Sequence, residues 1–191
     1  MRRTAWYVIQ VQAGKEKTVE KKIVRECKTV DYEHQDAKGI LQECFSPQYA
    51  YQHKQDGVWV EETMPLLPGY LIAVTQDPWK LLDTLRGIPE FAKLLPTGKT
   101  FAPLEEEEKS WIEKWTKEGN RIIPMSYAYK EGEKLVITEG PLMGKEALIV
   151  RVNRRKSVAH LEIHAGVITI RTTVGLNILP GKAVQPCGGR E

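Results

Sequence analysis

Two proline–glycine turns, Leu67-Pro68-Gly69-Tyr70-Leu71 and Glu139-Gly140-Pro141-Leu142-Met143-Gly144, constrain this 191-residue chain more than any other feature. Proline fixes φ and glycine opens the left-handed region, so each stretch must turn, and the flanking apolar residues lead into strands. Their surroundings differ. Helical and strand patterns alternate around the first turn, whereas the second opens a run of short strands. The length suits one large or two small domains, and the change of pattern favours two.

Trp6 to Val11 is β-branched and aromatic and reads as a strand apolar on both faces. From Lys15 onward, Val19, Ile23 and Cys27 recur four apart with Val24 widening the stripe, which predicts an amphipathic helix. Glu43 to His53 alternates loosely across Pro47 and reads as one edge or bulged strand. Gln55-Asp56-Gly57 signals a hairpin, Val58-Trp59-Val60 returns the chain, and Tyr70 to Thr75 is a further strand. Asp77-Pro78 pairs an N-cap with proline at the first helical position; Trp79, Leu82 and Leu85 share a face before Gly87 ends the helix. Phe91 to Leu95 reads as a short strand. Glu105 to Glu108 bring negative charge to the first turn of a third helix, which suits its dipole, and Trp111, Ile112 and Trp115 form its apolar stripe. The order β-α-β-β-β-α-β-α over residues 1–118 is close to a ferredoxin-like α+β sandwich with an added hairpin strand and a final helix.

Gly119, Asn120 and Pro124 mark residues 119–126 as a linker. Beyond it, Lys134 to Thr138, Ala147 to Val152, Ser157 to Ile163, Val167 to Thr173 and Gly175 to Leu179 read as short strands, and the β-branched run Val167 to Val174 opposes a helix. Five short strands within residues 127–182 predict a small closed barrel, because closure removes exposed edges. Pro186 to Glu191 reads as a loose tail.

Several function classes are disfavoured. No run of 18 apolar residues exists, so no transmembrane helix is expected. Met1-Arg2-Arg3-Thr4-Ala5 leads directly into a strand pattern without the apolar stretch of a signal peptide. Cys27, Cys44 and Cys187 are odd in number and lack CxxC spacing, which argues against a disulfide framework and for a cytoplasmic protein. His160-x-x-x-His164 would chelate a metal on a helix, but in a strand residues four apart lie about 13 Å apart, so no metal site is expected. No Gly-rich phosphate loop, nucleophile elbow or carboxylate pair appears, and neither an enzyme nor a cofactor is expected.

Charge separates the two halves. Residues 1–120 carry 17 Lys/Arg against 19 Asp/Glu, whereas residues 121–191 carry 11 against 6. A basic second domain points to a polyanion. Asn153-Arg154-Arg155-Lys156 concentrates the charge at one loop, with Arg151 before it and Lys145 at the second Pro-Gly turn. Arginine forks and lysine point charges suit phosphate oxygens. His160, His164, Arg171 and Asn177 are candidates for contacts with unpaired bases. The bland alternative is a solvated hairpin tip.

Trp6-Tyr7-Val8, Gly14-Lys15-Glu16, the Pro68-Gly69 turn and the Gly140-Pro141-Leu142-Met143-Gly144 stretch occur here in one order. In that order they resemble the NusG family of transcription elongation factors, over roughly residues 5–180. The resemblance implies an NGN-type N-terminal domain that binds RNA polymerase and a C-terminal KOW domain with an SH3-like barrel. It implies that Leu67, Pro68, Gly69 and Tyr70 lie by an apolar cavity that receives the tip of the polymerase clamp helices. Trp6, Ile112 and Trp115 are further candidates for that surface, with plain core as the competing reading for the tryptophans. Leu67 replaces the aromatic often found at its position. General members use the KOW domain to bind a small-subunit ribosomal protein or Rho. The matching turn in those members tends to be acidic, and the basic turn here favours an RNA hairpin in a leader transcript. A monomer is expected.

Overall fold

The computed structural model describes residues 4–28, 40–88, 93–94, 103–116, 120–165 and 168–180. Cys187 and the 186–191 tail lie outside the described residues, as do most of 91–95 and part of the 119–126 linker. The elements in order are β1 (Ala5–Gln10), α1 (Glu16–Lys28), β2 (Leu41–Phe45), β3 (Gln48–Gln55), β4 (Val58–Pro65), β5 (Tyr70–Thr75), α2 (Pro78–Leu85), β6 (Lys93–Leu94) and α3 (Glu106–Trp115). Then follow β7 (Ile122–Ile123), β8 (Ser126–Glu131), β9 (Lys134–Glu139), β10 (Ile149–Asn153), β11 (Val158–Ala165) and β12 (Ile168–Ile178). Contacts divide the chain into two compact units. The first is built from residues up to Gln48 and from Met64–Ile122, and the second from Tyr49–Thr63, Ile123–His164 and the chain from Ile168 on. The β3–β4 hairpin therefore groups with the second unit, although it interrupts the first in sequence.

In the first unit β1, β2, β5 and β6 form a sheet in the order β2-β5-β1-β6, the split βαβ arrangement. Val19, Ile23 and Cys27 of α1 share one core with Leu81 and Leu85 of α2 and with Ile9, Leu71 and Ala73 of the sheet. Full burial of a side chain such as Ile23 or Leu81 contributes about 1.5–3 kcal/mol. Asp77 caps α2 by accepting from the Lys80 N–H at 3.1 Å, with Pro78 as the first helical residue. Trp79 is not on the buried face: it is 55% exposed, and Leu81 and Leu85, four apart, carry the contact instead.

Alternate residues of β1 and β5 point the other way. Trp6 meets Phe45 edge-on at 5.3 Å, and Lys109 of α3 sits 5.6 Å from the Trp6 ring centre. Trp111, Ile112 and Trp115 of α3 are buried. The expected single strand from Glu43 to His53 is two strands, β2 and β3, separated at Ser46-Pro47, where proline cannot continue a ladder. Asp56 (φ 51°) and Gly57 (φ 83°) close the β3–β4 hairpin in the left-handed geometry its Asp-Gly sequence favours.

The second unit contains a five-stranded sheet in the order β10-β11-β12-β8-β9. Its end strands, β9 and β10, line a common cavity of about 580 Å³ whose apolar walls include Leu135, Val136, Ile149 and Val152. Leu142, from the second Pro-Gly turn, is fully buried, and its N–H donates to Ser126 Oγ at 3.2 Å. Three expectations change here. The expected linker of residues 119–126 holds β7 and the first residue of β8, and β8 itself was not anticipated. The strands expected at Val167–Thr173 and Gly175–Leu179 are one strand, β12, whose end pairs parallel with β8 through Leu176–Ile178. Residues 146–148 make a single 3-10 turn, so β10 begins only at Ile149.

Candidate interfaces: the first Pro-Gly turn and the basic β10–β11 turn

The first turn is pinned from three sides. Tyr70 N–H donates to the Leu67 carbonyl at 3.1 Å across the turn, and Val11 N–H donates to the Gly69 carbonyl at 2.8 Å. The Gly69 N–H donates to Glu16 Oε1 at 2.7 Å. Gly69 sits at φ 83°, with the Val11 carbonyl oxygen 3.4 Å from where a Cβ would stand. Glu16 is buried at the start of α1. Burial alone would raise its carboxyl. N–H bonds from Gly69, Glu16 itself and Gly14 outweigh that and hold it below the ordinary carboxylate range. A carboxylate there also complements the positive end of α1.

The sequence-predicted polymerase residues therefore divide. Leu67 and Tyr70 are partly exposed and Pro68 is exposed, so these three reach the surface, while Gly69 is buried beneath them. Trp6, Ile112 and Trp115 do not: they are 5%, 2% and 7% exposed and belong to the interior. Contacts with a ring and a guanidinium explain this for Trp6. Phe45 covers one edge, and the Arg121 guanidinium lies 5.2 Å from its ring centre and 4.5 Å from that of Phe45.

The basic turn joins β10 to β11. Asn153 Oδ1 accepts the Lys156 N–H at 3.2 Å, which closes the turn, and Ser157 completes it with φ 49°. Arg154, Arg155 and Lys156 all project into solvent, as does Arg151 one turn-width back on β10. None of these four cations forms an ion pair with a carboxylate among the described residues. Other residues expected to join them are placed differently. Lys145 Nζ donates to the Pro141 carbonyl at 2.8 Å and so braces its own loop. The Asn177 amide donates to Gln52 Oε1 at 3.1 Å and is committed within the unit. His164 lies in β11, and its side chain is outside the described residues.

His160 and Arg171 do come together, on the outer face of β11 and β12. His160 Nδ1 lies 3.1 Å from Thr173 Oγ1, and Arg171 Nε donates to Glu162 Oε2 at 2.9 Å. With Val150 these residues line a groove of about 410 Å³. Sequence reading missed Val150, Glu162 and Thr173. Alternation of His160 and Glu162 along one strand was the available signal for Glu162; the bulge that turns Val150 outward left none.

Among the described residues no group of three His, Cys, Asp or Glu side chains could hold a metal ion, and no helix is long and apolar enough to cross a membrane. Cys27 and Cys44 are buried, and burial pushes both thiols above their usual range.

The family model described as "Transcription termination factor nusG" matches residues 4–113. The chain is 26% identical to the transcription termination/antitermination protein NusG of Campylobacter jejuni over 83% of this chain and 86% of that protein. It is 21% identical to the protein of the same name from Rickettsia conorii, over 90% of this chain and 86% of that one. Among solved structures, Thermotoga maritima NusG superimposes with a TM-score of 0.50 at 15% identity, covering 92% of this chain and 94% of the other, which shows a shared fold.

Proposed function

The chain belongs to the NusG family, and on that premise we propose that it is a transcription termination/antitermination factor that bridges RNA polymerase and RNA. The NGN-type domain, residues 1–118, docks on the clamp helices of the polymerase through Leu67, Pro68 and Tyr70. The KOW domain, residues 127–182, is an SH3-like barrel that binds an RNA hairpin in the leader transcript. The factor acts by binding and not by turnover, shifting the polymerase toward its elongating state, and so promotes processive antitermination of particular operons. In its basic KOW turn the chain resembles the specialised NusG paralogs of the LoaP group.

One observation carries the RNA half of this reading: Arg154, Arg155 and Lys156 project from one turn and Arg151 from the adjoining strand, unpaired with carboxylates among the described residues. Exposed cations in that number favour a phosphate backbone, and a hairpin offers both a stem to neutralise and unpaired bases to read. The test is binding of the full chain to hairpins from the leader of its own operon, against scrambled RNA and duplex DNA. Tight binding to one hairpin at physiological salt, lost in Arg154→Ala/Arg155→Ala, is expected. Weak binding that is equal for all nucleic acids would refute it.

A second reading draws on the cavity between β9 and β10, whose apolar lining suits a protein partner. On that reading the chain is a general elongation factor whose KOW domain binds a ribosomal protein or Rho. The same double substitution separates the two, because a protein docked on apolar residues would hardly register the loss of Arg154 and Arg155.

A further inference from the structure

The groove on the outer face of β10, β11 and β12 has a chemistry that the basic turn does not account for. The register of β10 against β11 shifts between Ile149 and Arg151, so Val150 and Arg151 both face outward. Beside Val150 the groove is walled by His160, Glu162, Arg171 and Thr173. Its polar groups are already ordered, His160 by Thr173 and Glu162 by Arg171. Arg151 stands opposite His160 in the ladder, and the basic turn closes the same two strands.

Arg171 and Glu162 cancel each other's charge, so the groove adds no net cation for phosphate and is not one more backbone contact. It suits N–H donors. Among the four RNA bases only guanine presents two neighbouring donors on its Watson–Crick edge, N1–H and the N2 amine, and a carboxylate accepts both. Adenine and cytosine set an acceptor beside their donor, and uracil flanks its single donor with two acceptors, so each would turn a lone pair toward Glu162. Arg171 supplies donors next to the carboxylate, and the His160 ring and Val150 supply flat and apolar surface for an unstacked base.

We propose that this groove takes one unpaired guanine of the RNA held by the basic turn, with Glu162 as the specificity-determining residue and Arg171 as its positioning partner. The proposal rests on the RNA-binding reading above and goes beyond it in naming the base and the residue that reads it.

The full chain is titrated with RNA hairpins of one stem and a uridine loop in which a single position is guanosine, inosine, adenosine or uridine. Guanosine monophosphate forms a separate arm. The guanosine loop is expected to bind about tenfold tighter than the adenosine or uridine loop, within the range of one bidentate base contact. Inosine, which keeps N1–H but lacks the N2 amine, falls between. Glu162→Gln, whose amide offers one acceptor and one donor, loses the preference while keeping the salt dependence. Arg154→Ala weakens every loop alike. Equal affinity for all four loops, with the Arg154→Ala loss retained, overturns the guanine site and leaves the RNA reading standing. No binding to any hairpin at low salt overturns both. Guanosine monophosphate binding as tightly as the hairpin overturns RNA as the source of the base. The base series on the unaltered chain decides the matter even where a variant fails to fold.

Discussion

Gly140 and Gly144 share one loop and one backbone habit, with φ of 96° and 71°, yet their surroundings are opposite. A Cβ on Gly140 would stand 2.5 Å from the Met125 carbonyl oxygen and 2.6 Å from Ser126 Cα, both backbone, whereas one on Gly144 would meet nothing within 4 Å. Gly144→Ala therefore carries only the left-handed penalty, about 1–2 kcal/mol. Gly140→Ala adds an overpacking cost of about 1–3 kcal/mol. Urea unfolding of the two variants should separate them, and equal losses would mean that the loop yields at Gly140. Glu16 supplies a second test at this scale. Its carboxyl is held below the ordinary range, so its contribution is fully present above the unfolded pKa and disappears as pH falls through the folded one. Glu16→Ala is expected to lose about 1.5–3 kcal/mol at neutral pH, the range for a hydrogen bond to a charged group. The gap to the unaltered chain should narrow as the pH falls below about 4. A gap that stays constant down to pH 3 would show that the loss comes from packing and not from the charge.

Arg121 shows how an apparent linker becomes an element. Its guanidinium binds the Glu43 carboxylate through Nε at 2.9 Å and through a second nitrogen, while covering Trp6 and Phe45. Both partners are largely buried, at 9% and 18% exposure, and the Arg121 carbonyl accepts the Gln48 N–H at 2.8 Å at the start of β3. Removing one member strands the other, so Arg121→Ala should cost about 3–5 kcal/mol. Arg121→Lys should recover little, since an ammonium offers neither the fork nor the flat face. The double variant Arg121→Met/Glu43→Gln should be less damaged than the sum of its two single variants, a non-additivity that denaturant melts would read directly. Nothing in Gly119, Asn120 or Pro124 announced this anchor, because the partners of Arg121 lie far away in sequence. Signals confined to one element fared better. The stripe of Val19, Ile23 and Cys27, the Asp77 cap and the Asp56-Gly57 turn each depend on neighbours within a few residues, and each is where its pattern put it. Trp79 failed for a related reason: periodicity finds candidate faces, but which of them is buried is set by how α2 packs against α1 and the sheet. The unbroken course of β12 through Gly175 is likewise tertiary. A Cβ at that position would collide with the Ala50 carbonyl oxygen, so glycine there serves close packing and not a strand end.

At the scale of the whole chain, net charge describes the molecule poorly and its distribution describes it well. The overall +3 arises from an acidic excess over residues 1–120 and a basic excess beyond. The basic turn was legible because three consecutive cations need no tertiary context to be noticed. The groove beside it was not, since Val150, Glu162 and Thr173 come from three strands and meet only through the ladder register. This division predicts how binding responds to salt. If Arg151, Arg154, Arg155 and Lys156 each neutralise one phosphate of a duplex stem, the slope of log affinity against log salt is roughly −3.6, and affinity falls roughly 150-fold between 50 and 200 mM. Arg154→Ala/Arg155→Ala should halve the slope to roughly −1.8 and the loss to roughly 12-fold. Lys145→Ala should leave the slope unchanged, because its Nζ is held against the Pro141 carbonyl of its own loop. A titration of hairpin RNA at several salt concentrations reads all three values. A slope near −3.6 that persists in the double variant would move the phosphate track away from the β10–β11 turn. A change on losing Lys145 would mean that the loop brace releases when RNA binds.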